Sequence, residues 1–383
     1  MYSRRTFLKI SSGIIALLSS GLIFRNISYQ KVNHILASAS HEKLAISVSL
    51  SKKTTKLELM LDNKVIIKGI QKDRIGTNWQ FISDKLSSDH SYKLQLISEG
   101  DPIYKPWNLK TFPGPDTKVE NVSVMAFTCA GGPEGFKISG KEFFKPLKFR
   151  QKVFAEGLSL NPDFAISIGD HIYWDLRGEN APQVGRKNKL IKFFLGSYIG
   201  LVYGSFNRSE EAGSSKNEKV LKNIGNDQIA SLYGTRFKST PIFFIPDDHD
   251  YFENDDAEEK LVTFPADDFS KDAFKQMADL FYPPLLDTPD GQPKRKIGRI
   301  RYGNAFEGLI ADCAGDMTLG DKKALLISKK NEEWLLSRID QSKAKTLAFI
   351  PSHPFGYTAG KWREWYPDAV SYTHLTLPTI LPV

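Results

Sequence analysis

Five short apolar runs in this chain end in side chains that can do chemistry. Residues 122–128 lead into Cys129-Ala130-Gly131-Gly132, and residues 164–168 into Gly169-Asp170-His171-Ile172-Tyr173. Residues 242–245 lead into Pro246-Asp247-Asp248-His249-Asp250-Tyr251, with Asn254 and Asp255 shortly after. The run 308–311 is followed by Asp312-Cys313, and 346–350 by Pro351-Ser352-His353-Pro354. A thiolate, a phenolate, carboxylates, imidazoles and an amide oxygen on one edge can hold two unlike cations. Sulfur and phenolate suit a trivalent iron, and carboxylate and amide oxygens suit a harder divalent ion. Two ions a few ångströms apart can clamp a phosphoryl group and deliver a metal-bound hydroxide in line.

The elements around these residues fit that convergence. The five runs are nearly all apolar, as strands buried on both faces are, and helical stretches at 144–157, 270–282 and 329–340 lie between them. In such α/β sheets ligands sit beyond the carboxyl ends of the strands. Upstream, residues 44–50, 56–61, 79–82 and 92–97 alternate with period two between turn-forming segments, which predicts a small antiparallel β-sandwich over 40–115. The Pro/Gly break at 112–116 reads as a linker, and each half is long enough for its own core.

Composition narrows the function classes. The chain has 383 residues and a formal charge of +8, but five of the excess charges (Arg4, Arg5, Lys9, Arg25 and Lys31) lie in residues 1–39, which hold no acid. The remainder is near balance and has no basic stripe with interleaved aromatics, so nucleic acid is not an expected partner. Two cysteines cannot form a disulfide framework. Residues 3–9 read Ser-Arg-Arg-Thr-Phe-Leu-Lys, an apolar run covers 14–24, and Ala37-Ser38-Ala39 is a small-x-small end. These are the parts of a secretory leader of twin-arginine type, with processing expected near Ala39. The apolar run is short of the ~20 residues that span a bilayer. The expected location is periplasmic or extracellular, with the twin-arginine translocation machinery as partner.

Gly169-Asp170-x-Ile172-Tyr173 and Asp247-Asp248-His249-Asp250-Tyr251-x-x-Asn254-Asp255, with Thr128-Cys129 upstream, resemble the alkaline phosphatase D type of metallophosphoesterase. The resemblance covers roughly residues 118–368. It implies a four-layer α/β/β/α sandwich preceded by a small immunoglobulin- or fibronectin-like sandwich, and hydrolysis of a small phosphate ester at a binuclear centre. It implies Cys129 and Tyr173 on a ferric ion, Asp170 as the bridging ligand, and Asn254 at a second metal, calcium in many relatives, with manganese or zinc as alternatives. Asp247, Asp248 and His249 complete or support the site. His249 and His353 are the candidate general acids. His171 is expected near the site without ligating, and Cys313 in a structural role. The lysine-rich stretch 183–223 is expected to be a solvated insertion rimming the site.

Two features depart from that pattern. Asp312-Cys313-Ala314-Gly315 has no arginine where the family usually carries one for phosphate. Relatives also continue into a strand bearing an Asp and a His that serve the metals, so the phosphoesterase domain over 118–369 is expected to be incomplete. Residues 370–383 resemble a translated sequencing-adapter tail and are expected not to be native. The competing functions are a non-catalytic exported binding protein on the same fold and a single-metal hydrolase of another ester.

Overall fold

The computed structural model describes residues 32–133, 137–138, 141–142, 145–173, 203–251, 267–291, 297–316, 318 and 325–352. Asn254, His353, the leader up to Lys31 and the 370–383 tail lie outside them. Among the described residues no helix is long and apolar enough to cross a membrane.

The first part is all β: β1 (Val32–Ala39), β2 (Leu44–Leu50), β3 (Leu57–Leu61), β4 (Val65–Lys68), β5 (Ile70–Gln71), β6 (Asn78–Ser83), β7 (Ser91–Ser98), β8 (Asp101–Pro102) and β9 (Trp107–Lys110). They form one sheet in the order β1-β2-β6-β5 and another in the order β4-β3-β7-β8, with β9 paired to β7. Period-two alternation sets their faces. In β3, Leu57, Leu59 and Leu61 are buried while Glu58 and Met60 are not fully so.

Strand β1 runs up to the boundary expected at residue 39. Residues 32–39 pair antiparallel with β2, from Val32↔Leu50 to Ala39↔Leu44. Ile35, Ala37 and Ala39 enter the core of the sandwich, and Leu36 on the opposite face enters the core of the α/β part. Small alternating residues that read as a processing site are therefore strand residues in close packing, and a cut at Ala39 would remove a folded strand.

The second part mixes helices and sheets. Its elements are β10 (Val124–Phe127), β11 (Lys137–Ile138), β12 (Lys141–Glu142), α1 (Leu147–Ser159), β13 (Phe164–Ile168), α2 (Ser215–Gly225), a π turn (Asn226–Ala230), α3 (Ser231–Tyr233), β14 (Ile242–Ile245), α4 (Asp248–Tyr251), α5 (Asp268–Phe281), β15 (Ile297–Tyr302), β16 (Phe306–Ala311), α6 (Cys313–Asp316), α7 (Lys329–Gln341) and β17 (Thr346–Pro351). β10, β13 and β14 run parallel. β16 pairs antiparallel with β15 and parallel with β17.

The core of the sandwich extends into the α/β part. Phe164, Ile166, Phe243 and Ile245 share one apolar cluster with Ile300, Ile310 and the inner residues of the sandwich. Phe112, placed in the expected linker, sits 5.1 Å from the Tyr302 ring and 5.6 Å from that of Phe164. Each such side chain contributes roughly 1.5–3 kcal/mol when fully buried, so the linker is a packed junction.

Two further expectations change. β13 and β14 are buried along nearly their whole length, but β10 exposes Val124 and Ala126 and is covered on one side only, and β17 exposes Thr346 and Leu347 at its start. The end of the lysine-rich stretch is also not a solvated insertion: α2 buries Val220, Leu221 and Ile224, leaves Lys216 and Lys219 exposed, and carries Lys222 into a largely buried ion pair with Asp73. The Ser214 side chain accepts from Asn217 N–H at the start of α2.

Candidate metal centre

The three parallel strands continue their hydrogen bonding past their ends, and this binds the loops that carry the chemistry. Gly169 N–H donates to Ile245 O at 2.7 Å, Cys129 N–H to Gly169 O at 3.3 Å, and Gly131 N–H to Asp170 O at 3.0 Å. Gly169 has φ +71, and a Cβ there would lie 2.5 Å from Cβ of Asp247, so only glycine lets the two loops approach so closely. Cys129 and Asp170 each hold φ +53. That left-handed backbone costs about 1–2 kcal/mol in a non-glycine residue, and here it falls on two residues that bear candidate ligands.

The donors meet at Asp170. Its Oδ2 accepts from the Tyr173 hydroxyl at 2.8 Å and from the Cys129 thiol at 3.1 Å. Asp170, Asp248 and His249 each offer a donor atom, and these atoms all lie within 4.8 Å of one another. The rings of Tyr173 and His249 are 4.3 Å apart. His249 therefore stands among the ligand-type donors as well as being a candidate acid. Asp247 is held beside them by its own N–H, which donates to Asp250 Oδ2 at 2.9 Å. The structure thus brings together Cys129, Asp170, Tyr173, Asp247, Asp248 and His249.

Charge and burial describe a site that wants a cation. Burial, and then the charge of Asp170, push the Tyr173 hydroxyl far above its ordinary range. Burial also raises the Cys129 thiol, with Asp170 adding to the effect and a hydrogen bond from Thr128 opposing it. Oδ1 of Asp170 is buried without a hydrogen-bond partner among the described residues, an arrangement that costs stability unless something positive faces it. A bound cation would reverse the first two shifts and give that oxygen a partner. Thiolate, phenolate, carboxylate and imidazole together fit a transition-metal ion.

Buried polar groups outside the candidate ligand set hold these donors. Asp250, fully buried, accepts from the N–H groups of His171 at 3.0 Å and Ile172 at 3.2 Å, and thereby joins the loops after β13 and β14. Burial, followed by the charges of Asp170, Asp247 and Asp248, keeps its carboxyl well above the usual range, against the Asp247 N–H. His171 is buried against Asp250 and the Ser167 carbonyl, and burial lowers its pKa to about 3, so it stays neutral and structural. Tyr251 donates to Asp312, which also accepts from Gly315 N–H. Cys313 is buried, in keeping with a structural role. Gln228 and Arg150 reach the loops from the helices, and no spacing rule links them to Cys129 or Tyr173.

No protein-family model matches the chain, and no curated protein matches its sequence. Solved structures do. The structure of PhoD aligns with a TM-score of 0.58 at 15% identity, covering 91% of this chain and 68% of that one. A purple acid phosphatase, PPD1 from yellow lupin (Lupinus luteus) seeds, aligns with a TM-score of 0.51 at 12% identity, covering 87% of this chain and 53% of that one. The chain thus spans about two thirds of the first and about half of the second. The fold is like that of PhoD and of this purple acid phosphatase. On this PhoD-like fold the candidate donors stand at the carboxyl ends of the parallel strands, where α/β sheets place their ligands.

Proposed function

We propose that this chain is an exported phosphoesterase that hydrolyses phosphate mono- or diesters at a binuclear metal centre. The observation that carries the reading is Asp170: its Oδ2 gathers the Cys129 thiol and the Tyr173 hydroxyl, and its donor lies within 4.8 Å of those of Asp248 and His249. A carboxylate so placed suits a bridging role. Cys129 and Tyr173 would hold a ferric ion, and Asp247, Asp248 and Asn254 would serve a divalent ion, calcium before manganese or zinc.

When bound, such a pair supplies positive charge to the phosphoryl oxygens and acidifies an attacking water. The chain's own residues do the rest. Asp250 and the strand-end hydrogen bonds fix the donors before substrate arrives, so little reorganisation accompanies reaction. His249, beside Tyr173, or His353 delivers the proton to the leaving oxygen. Export would use the twin-arginine route, with processing before β1 begins. The facing sheets support the four-layer arrangement, and the antiparallel β1–β9 unit supports the immunoglobulin- or fibronectin-like reading of the sandwich.

The test is elemental analysis of the purified protein for iron and calcium, combined with turnover of a chromogenic phosphomonoester and a phosphodiester. Stoichiometric metal and turnover, both lost in Asp170→Asn, are expected. Hydrolysis that persists in metal-stripped protein would refute the reading.

A further inference from the structure

The helix that begins at Ser215 is interrupted by a π turn at Asn226–Ala230 before it resumes at Ser231–Tyr233. Such turns widen the helix, cost hydrogen-bond geometry, and occur often where a side chain has to be redirected to a functional site. The residue at the centre of this one is Gln228, only 1% exposed. Its Oε1 accepts from Gly132 N–H at 2.8 Å and from Tyr173 N–H at 2.9 Å. Its Nε2 donates to Tyr173 O at 2.9 Å. One amide thus satisfies both backbone groups of Tyr173 and one backbone group of the loop that begins at Cys129.

The opposite side of that loop is held from α1. Arg150 Nη1 donates to the carbonyls of Ala130 and Gly131, both at 2.9 Å, and Nη2 to the carbonyl of Gly132 at 2.9 Å. The loop therefore has its carbonyls on a guanidinium fork and an N–H on Gln228. Tyr173 has no strand or helix of its own to fix its backbone: residues 171–173 follow the end of β13. Gln228 is the group that stands in for a partner strand there.

We infer that Gln228 is a positioning residue: the π turn presents it so that it sets the separation of the Cys129 thiol and the Tyr173 hydroxyl, the two groups that meet at Asp170. The inference rests on the cation-centre reading for its consequence in catalysis, but its geometric content does not need a metal. Groups that orient ligands from behind typically change metal affinity by about 10- to 100-fold when removed.

The experiment uses the purified protein with Gln228→Met, which keeps the length of the side chain and removes its polar atoms. Gln228→Glu keeps an acceptor oxygen, loses the amide donor, and serves if the Met variant does not fold. Gln151→Ala is the control, because Gln151 holds the Ser231 carbonyl of the same helix at 2.8 Å and does not reach the loops. The first readout is the rate at which iodoacetamide alkylates Cys129 in metal-free protein, read by peptide mass spectrometry; Cys129 is exposed and Cys313 buried. The second is iron affinity together with the position of the visible tyrosinate-to-iron absorption band. In Gln228→Met the thiol rate should change severalfold, iron should bind about 10- to 100-fold more weakly, and the band should shift, with Gln151→Ala unchanged in all three. A thiol rate equal to wild type in both Gln228 variants would overturn the inference. If wild type binds no iron, the cation-centre reading fails, and the thiol rates still decide the role of Gln228.

Discussion

Among the described residues, two sites built around buried carboxylates follow opposite rules. Where the sandwich meets α2, Asp73 accepts from the N–H groups of Gly76, Thr77 and Asn78, from the Thr77 hydroxyl, and from the Lys222 ammonium. Burial alone would raise its carboxyl, but Lys222, Thr77 and Asn78 outweigh that and hold it below the usual range. At the strand ends, Asp250 lies among Asp170, Asp247 and Asp248, and burial and those charges raise its carboxyl instead. The first cluster is closed by the protein's own cation and stabilises the fold. The second gathers acids against one another, an arrangement that fits the proposed metal centre.

The largest effect is expected at the closed cluster. Lys222→Met leaves a buried carboxylate without its counter-charge and should cost about 3–5 kcal/mol, measured by denaturant unfolding. A loss under about 1 kcal/mol would mean that the backbone N–H groups alone hold Asp73.

Next is the pH response of the same junction. His34 accepts from Ser49, donates to the Phe281 carbonyl at 3.0 Å, and is held neutral by burial with its pKa lowered to about 4 from 6.5. A base with a lowered folded pKa gives stability that is whole above pH 6.5 and is lost as pH falls towards 4. At ~1.4 kcal/mol per pH unit the loss is on the order of 3 kcal/mol. In unfolding curves at pH 7 and pH 4.5, His34→Gln should lose less stability on acidification than wild type; equal losses would contradict the assignment.

Smaller effects sharpen the contrast. Ser214→Ala removes the cap of α2 and should cost about 1 kcal/mol in thermal unfolding, with no change in the metal centre. Asp170→Asn should leave the metal-free protein as stable as wild type or more so, by up to about 1 kcal/mol, because a carboxylate is removed from among other carboxylates. A clear loss of stability in that variant would place Asp170 with Asp73 as a structural acid.

The sequence made the centre legible because strand ends are local: an apolar run followed at once by Cys129, by Asp170 and Tyr173, or by the 247–250 acids needs no tertiary information to read. β13 and β14 were read to the residue for the same reason. What stayed hidden depends on distant packing. Ala37-Ser38-Ala39 has the same composition whether it is a processing site or a strand, and only non-local contacts, the pairing with β2 and the bond from Ser38 to the Pro284 carbonyl, separate the two. The buried face of α2 was masked by its lysines. β15 carries two arginines, Arg299 and Arg301, whose partners Asp287 and Glu307 lie outside the strand. Gln228 acts on Tyr173 across 55 positions, a distance no motif spans.

The most direct test of the contrast is thermal unfolding of wild type and Asp170→Asn with and without iron, supplied as its citrate, and calcium. At a cation concentration about a hundred times its dissociation constant, wild type should gain ~2.7 kcal/mol, and Asp170→Asn should gain almost nothing. An equal gain in both proteins, or none in wild type, would show that the strand-end acids are not arranged around a metal.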